Sequence, residues 1–294
     1  MPSRSVPIDR PLELRRVLAP LTGPWGSFGP DGWWRAMRTS GGPATVLIRR
    51  AGAVVDADAW GPGAGWVLEQ VPGLIGLLDP REGFETDHPL VGEIARRHPG
   101  WRIGHTGLVY EALVPAVVGQ KVTGKEAGRG MRGLLRSFSE PAPGPRPGLH
   151  LPPDPDRVVA APYHAFHPLG IERRRADTLR RAAAEADRID RLAGVAAVEA
   201  QAWLRRIPGV GAWSAAETVA VSHGDPDAVS VGDFHLKHQV CWHLAGEPRG
   251  SDERMLELLE PFRPHRGRVV RFLESLAPYP RYGPRSPVRS FEHL

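Results

Sequence analysis

A chain of 294 residues, 41% hydrophobic and 24% charged, is long enough for about two globular domains and a sizeable core. Its one cysteine, Cys241, excludes an internal disulfide and any four-cysteine metal or iron–sulfur site. A net charge of +5 and a pI of about 9.8 permit a nucleic-acid partner without requiring one. All but three of the 38 basic residues (Lys121, Lys125 and Lys237) are arginine, a bias that tracks base composition as readily as phosphate recognition. With no apolar run of 18 residues and no secretory signal, the expectation is a cytoplasmic protein that does not enter a membrane.

Residues 1–10 carry no periodic pattern and are expected to be loosely held. Pro11 to Leu21 suits a short strand or helix. Trp33 to Thr39 alternates partially, and Ala44 to Arg50 is rich in β-branched residues; both read as strands about the turn signal Gly41-Gly42-Pro43. Ala53 to Ala57 completes a meander, and Gly63 to Leu78 reads as a helix interrupted by Pro72. Residues 1–87 are thus expected to form a small α+β domain. From His88 on the pattern is mostly helical, over 88–98, 107–121, 123–139, 172–190, 195–206, 212–223, 233–245, 251–260 and 265–277. The proline-rich stretch 140–155 reads as a connecting loop, and the six arginines between Glu172 and Ile189 as a solvated helix face. Residues 278–294 lack apolar periodicity and are expected to be a flexible tail.

The most informative stretch is Ile207-Pro208-Gly209-Val210-Gly211, a turn with two glycines between two helical segments. The glycines let the turn close and leave backbone N–H groups uncovered at the start of the second helix, where an anion such as a phosphate is favoured. The turn has no acidic residue to oppose that. By itself it is also consistent with an ordinary αα-hairpin. Asp233 follows Gly232, lies 22 residues after Gly211 and opens a further helical pattern. Taken alone it reads as an N-cap.

Together the hairpin and the spaced aspartate resemble the helix–hairpin–helix DNA glycosylases, and within them the bacterial 3-methyladenine DNA glycosylase II branch. Val118-Gly-Gln-Lys-Val-Thr123, Phe166-His-Pro-Leu-Gly-Ile171 and Phe262-Arg-Pro-His-Arg-Gly-Arg-Val269 agree with that branch. The resemblance spans residues 88–277 and is weaker before them. It implies a mostly α fold, the helix–hairpin–helix glycosylase domain (88–277), carrying a small N-terminal α+β domain (1–87) that is not catalytic. It also implies a double-stranded DNA partner with damaged bases, engaged by a monomer associated with the nucleoid.

The resemblance assigns roles as well. Asp233 is implied to be the catalytic carboxylate, a role compatible with capping. Pro208, Gly209, Val210 and Gly211 are implied to hold a DNA phosphate. Gln120 and Lys121 sit in the loop where relatives insert a wedge into the base stack; either Gln120 or the stem of Lys121 fills the gap, or Lys121 contacts a phosphate. Trp213 and Phe234 match aromatic pocket positions, with core packing as the alternative. Glu217 and His265 stand where the branch carries aromatics, so the base preference is open; Glu217 is either a surface salt-bridge residue or a partner for an exocyclic amine. Lyase members of the superfamily place a lysine nucleophile where this chain has Trp213, so Schiff-base chemistry is not supported. No metal spacing is found among the histidines, His235 and His238 included, and no catalytic cofactor is expected. A structural monovalent cation on the hairpin carbonyls is a family expectation.

The reading is therefore a monofunctional enzyme that flips out alkylated purines and hydrolyses their N-glycosidic bond in base-excision repair. An aromatic pocket suits cationic N-alkyl purines, which stack well and leave as neutral bases without a strong acid. The alternatives are a glycosylase for oxidised or deaminated bases and a non-catalytic DNA-binding helix–hairpin–helix protein. A carboxylate near the phosphates disfavours the last.

Overall fold

The computed structural model describes residues 1–280. An N-terminal sheet domain is followed by helices gathered into two further cores. The sheet has the order β1-β5-β4-β3-β2 and is antiparallel throughout, from β1 (Ser3–Pro7), β2 (Gly26–Gly29), β3 (Gly32–Thr39), β4 (Gly42–Ala51) and β5 (Val54–Trp60). Side chains alternate across it as strand geometry requires. Trp33 and Met37 of β3 and Val46 and Ile48 of β4 face one core with Val17 and Leu21 of α1 (Leu14–Thr22) and Val67 and Val71 of α2 (Ala64–Leu74). On the opposite face Trp34 stacks on Trp60 at 5.2 Å.

One expectation for this region changes, one open alternative is settled and one strand is added. Residues 3–7 are an edge strand: Val6 pairs with Val55 and is buried, which a five-residue segment with one apolar contact does not announce in sequence. Pro11 to Leu21 resolves as a helix. The strand β2, interrupted by glycines at both ends, carries no alternation signal and was not anticipated.

The second core is built on α4 (Val109–Val118), whose residues are nearly all buried, as expected of a helix apolar on every side. Around it pack α5 (Gly124–Phe138), α7 (Arg173–Ala184), α8 (Ala186–Asp190), α9 (Ala197–Leu204) and α10 (Ala212–Ser222). The expected helix over 172–190 is two helices, and one of its arginines is not solvated. Arg175 is buried and donates to the carbonyls of Val118 (2.6 Å) and Gly170 (2.9 Å), fastening α7 to the end of α4. The proline-rich stretch is pinned as well. Pro141 and His150 form an antiparallel bridge, Arg38 of β3 donates to Pro152 O (2.9 Å), and a short helix α6 (Pro155–Ala160) begins where the loop was expected to end.

The third core joins distant parts of the chain. Phe84, Val91 and Ile94 of α3 (Pro89–Arg97), and Trp101 pack on α11 (Leu236–Ala245), α12 (Asp252–Leu259) and α13 (Arg266–Glu274). A fully buried ion pair seals it to the N-terminal domain: Arg268 Nη1 reaches Asp79 Oδ2 at 3.0 Å, and that oxygen also accepts Ile103 N–H at 2.9 Å. Of the expected flexible tail, residues 278–280 are described, and Tyr279 is buried with its N–H on Gln239 Oε1 (3.0 Å). Residues 281–294 lie outside the described part.

Candidate functional site

The hairpin is held from three sides. Ile207 and Val210 bury their side chains in the second core, and Val210 N–H donates to Ile207 O at 2.9 Å, which closes the turn. Gly209 has φ 101°, a conformation that side chains rarely adopt. A Cβ there would also lie 1.9 Å from Thr178 Oγ1. Thr178 Oγ1 and Arg181 Nη1 each reach Pro208 O at 3.3 Å, while Gln120 Nε2 donates to Gly209 O (2.9 Å) and Ser214 Oγ (2.8 Å). Gly211 caps α10 without a side chain, so the first-turn N–H groups face outward beside exposed Gly211 and Ala212. Arg205 and Arg206, just before the turn, are exposed.

Gln120 therefore braces the hairpin. Its neighbour Lys121 is exposed and has φ 54°, a left-handed backbone that is uncommon for a side-chain-bearing residue. The loop pins one residue and presents the next. Thr123 then starts α5 with a capping box, its hydroxyl accepting Glu126 N–H and Glu126 accepting Thr123 N–H.

Asp233 is fixed on both oxygens. Oδ1 accepts the N–H groups of His235 (2.7 Å) and Leu236 (2.9 Å), the residues that lead into α11. Oδ2 accepts Trp213 Nε1 at 3.1 Å. The bond from Trp213 joins the first turn of α10 to the segment that leads into α11.

Beside Asp233 opens a cavity of about 250 Å³, lined also by His235, Leu236, Gln239, Glu274, Leu276 and Pro278. That is a little under the roughly 300–1,000 Å³ of small-molecule pockets. Two further carboxyls feel Asp233. Glu217, on α10, accepts a hydrogen bond from Ser230 Oγ; burial pushes it up, the Ser230 bond opposes that, and the negative charge of Asp233 adds to the rise. Glu274, at the end of α13, is solvent-exposed and lies within the field of Glu217, Asp233 and Arg271. Arg271 itself donates to Ala220 O at 2.7 Å.

Comparison with solved structures decides the fold. A 3-methyladenine DNA-glycosylase from Archaeoglobus fulgidus superposes with a TM-score of 0.74 at 17% identity, over 92% of this chain and 96% of that one. The fold is that of the helix–hairpin–helix DNA glycosylases. A Clostridium acetobutylicum 8-oxoguanine glycosylase/lyase, solved with double-stranded DNA carrying cytosine opposite 8-oxoguanine, matches with a TM-score of 0.70 at 14% identity (90% and 91% covered). A Schizosaccharomyces pombe 3-methyladenine DNA glycosylase with abasic DNA matches with 0.54 at 17% identity (68% and 96% covered). No protein-family model and no curated protein matches the sequence.

Within this glycosylase fold the expected site residues separate. Pro208 to Gly211, Gln120, Trp213, Asp233 and Glu217 come together around the two helix starts. Phe234 does not join the cavity; it is 72% exposed, edge-on to His235 and His238. His265 is buried in the third core, its ring against Phe84 at 5.3 Å and its Nδ1 facing Arg268 Nε at 3.4 Å. Residues that sequence reasoning missed are Glu274, Gln239 and Tyr279, whose hydroxyl meets His235 Nδ1 at 2.8 Å. They come from the far end of the chain, and no motif marks them.

Proposed function

We propose that this protein is a monofunctional DNA glycosylase that extrudes damaged purines from duplex DNA and hydrolyses their N-glycosidic bond, with N-alkylated purines as its first substrates. The observation that carries this reading is the Asp233 carboxylate, fixed on both oxygens at the rim of a cavity and hydrogen-bonded to the hairpin helix through Trp213. That the solved relatives are glycosylases of 3-methyladenine and 8-oxoguanine supports the general reaction.

In this mechanism the outward N–H groups of α10 and the 208–211 turn hold a phosphate and set the register. Lys121, presented by its left-handed backbone, fills the space of the extruded nucleotide with its apolar stem, while Gln120 stays on the hairpin. As the C1′–N bond lengthens, the sugar gains positive charge, which the fixed carboxylate of Asp233 stabilises before receiving a proton from the attacking water. No lysine stands on α10, so no covalent imine forms there and the backbone is left intact. The Pro208 carbonyl meets Thr178 and Arg181 and the Gly209 carbonyl accepts from Gln120, and no step is assigned to a monovalent cation on the hairpin. The protein works on DNA as a monomer in the nucleoid in this reading. Among the described residues no helix is long and apolar enough to cross a membrane.

The test is release of base from methylated duplex DNA by the native chain and by Asp233→Asn. Methylpurine release that the substitution abolishes, with strand breaks only after alkali, is the expected result. Tight duplex binding with no release of any modified base would reduce the protein to a DNA-binding hairpin. Breaks without alkali would overturn the monofunctional assignment.

A further inference from the structure

The helix that follows Lys121 concentrates the charge of the molecule. Residues 119–139 hold five cations, Lys121, Lys125, Arg129, Arg132 and Arg136, and one carboxylate, Glu126, in a chain whose net charge is +5. Glu126 is buried and engaged in the capping box with Thr123. Lys125, Arg129, Arg132 and Arg136 recur every three or four residues and so form one stripe along α5. The opposite face, with Met131, Leu134 and Phe138, packs into the second core. Lys125, Arg132 and Arg136 are exposed and Arg129 is half-buried. Among the described residues none of the four has an ion pair or a hydrogen bond. Exposed arginines on other helices do meet a carboxylate three residues away, as Arg96 meets Glu93, Arg188 meets Glu185 and Arg254 meets Glu257. Like charges at these spacings repel, so the stripe works against the helix that bears it. A glycine beside the stripe does the same. A Cβ on Gly130 would come within 3.1 Å of Val118, and one on Gly133 within 2.9 Å of Leu169, so packing explains both. A Cβ on Gly128 would meet only the Arg132 guanidinium, at 3.4 Å. Glycine inside a helix is destabilising, and where no neighbour requires it, it leaves room for another backbone to come close.

We infer that the outward face of α5 is a second DNA-binding surface, separate from the hairpin, which holds the phosphates of the duplex flanking the lesion on one side. Gly128 is its point of closest approach. The inference rests on the duplex partner of the reading above. Four unpaired cations in a row fit a polyanion with regularly spaced charges. From Lys125 to Arg136 the helix rises about 16 Å, the length of about five base pairs, so the stripe can follow several phosphates of one strand. The surface begins beside Lys121, so the flank it grips leaves the site past the loop that fills the gap. Contacts of this kind carry no base information. They add affinity and steer encounter on any sequence, while the hairpin and the cavity set register and choose the base.

The test uses the full chain and a duplex with a central abasic-site analogue, its affinity read by anisotropy over a range of salt. Two variants replace Lys125, Arg129, Arg132 and Arg136 together, one with glutamine at all four positions and one with lysine. The glutamine variant is expected to bind at least about tenfold more weakly at moderate salt, and its slope of log Kd against log salt should flatten by about 2 to 3.6. The lysine variant, which keeps the charges, should keep the slope. Melting temperature should not fall in the glutamine variant, since it loses only repulsion. Trimming one flank of the duplex should weaken the native chain and leave the glutamine variant nearly unaffected, while trimming the other flank should weaken both alike. Gly128→Gln should raise the melting temperature and still weaken binding. A glutamine variant with native affinity and slope overturns the inference, as does a loss that the lysine variant shares. A Gly128→Gln chain that binds like the native one overturns the close approach. Base release from methylated duplex by the native chain is measured alongside. Release without any effect of the stripe sinks the inference alone. A stripe-dependent slope without release leaves the inference standing while the glycosylase reading falls.

Discussion

At the scale of single residues, Gly209 and Asp233 show what local chain geometry makes legible. Gly209 is needed twice over, for its φ of 101° and for the absence of a Cβ against Thr178. Gly209→Ala is expected to destabilise the protein by about 1–3 kcal/mol from the backbone alone. It should also weaken duplex binding, because the Pro208 and Gly209 carbonyls would move off Thr178 and Gln120. Thermal melting and binding anisotropy read the two effects separately. Gln120→Ala probes the same brace from the other side: it leaves Gly209 O and Ser214 Oγ without their shared donor, and DNA affinity should fall while base release from saturated complexes stays close to native. Both Gly209 and Asp233 were legible because turn chemistry and chain spacing are local. The wall that Gln239 and Glu274 give the cavity was not, because nothing local marks it until the fold brings the ends of α11 and α13 together. Phe234 and His265 show the converse limit. An aromatic or histidine at a family position need not point into the pocket, and here the first faces solvent and the second is enclosed beside Phe84.

At the scale of elements, most helices fell within a few residues of their expected bounds, since the apolar pattern of α5, α10, α12 and α13 and the continuous apolar run of α4 are carried by their own side chains. The pieces that escaped notice were those whose order comes from partners. The strand β1 exists because β5 offers it a ladder, and residues 140–155 are ordered by Arg38 and by the bridge between Pro141 and His150. The exposed arginines before the hairpin give an element-level prediction. If the turn grips phosphate, Arg205→Ala and Arg206→Ala should each flatten the dependence of log Kd on log salt by up to about 0.9, without altering which base is released. Titrating duplex affinity between low and moderate salt checks this. An unchanged slope in both variants would place the phosphate contacts elsewhere on the molecule.

For the whole molecule, two buried ion pairs join the sheet domain to the helices, and they differ in how well they are satisfied. Asp79 and Arg268 are paired through two contacts, with Ile103 N–H as a further donor. Asp79→Ala would strand a guanidinium in the interior and is expected to cost about 3–5 kcal/mol, read as a shift in the urea midpoint. Glu111 of α4 lies 3.5 Å from Arg35 of β3, and neither of its oxygens has a hydrogen-bond partner. Burial raises Glu111 to about 8 despite Arg35, with Asp190 adding to the rise. A carboxyl whose folded value lies above its unfolded value of 4.5 favours the folded state while protonated. Its contribution is therefore full below about 4.5 and is lost as pH climbs to about 8, at roughly 1.4 kcal/mol per pH unit. Melting temperatures across that range should decline more gently in Glu111→Gln than in the native chain.

The third core also has a history in time. Phe84, Val91, Ile94 and Trp101 are made early, yet every helix that covers them lies beyond residue 235. On the ribosome these apolar side chains wait for about 135 further residues, on the order of 10 s at ordinary rates of synthesis. The sheet domain and the α4 core can close during that interval, so the newborn chain holds its hairpin before it owns the socket for Asp233. The third core closes last, with α13, and a ribosome stalled short of α13 carries an intermediate with these apolar side chains still uncovered.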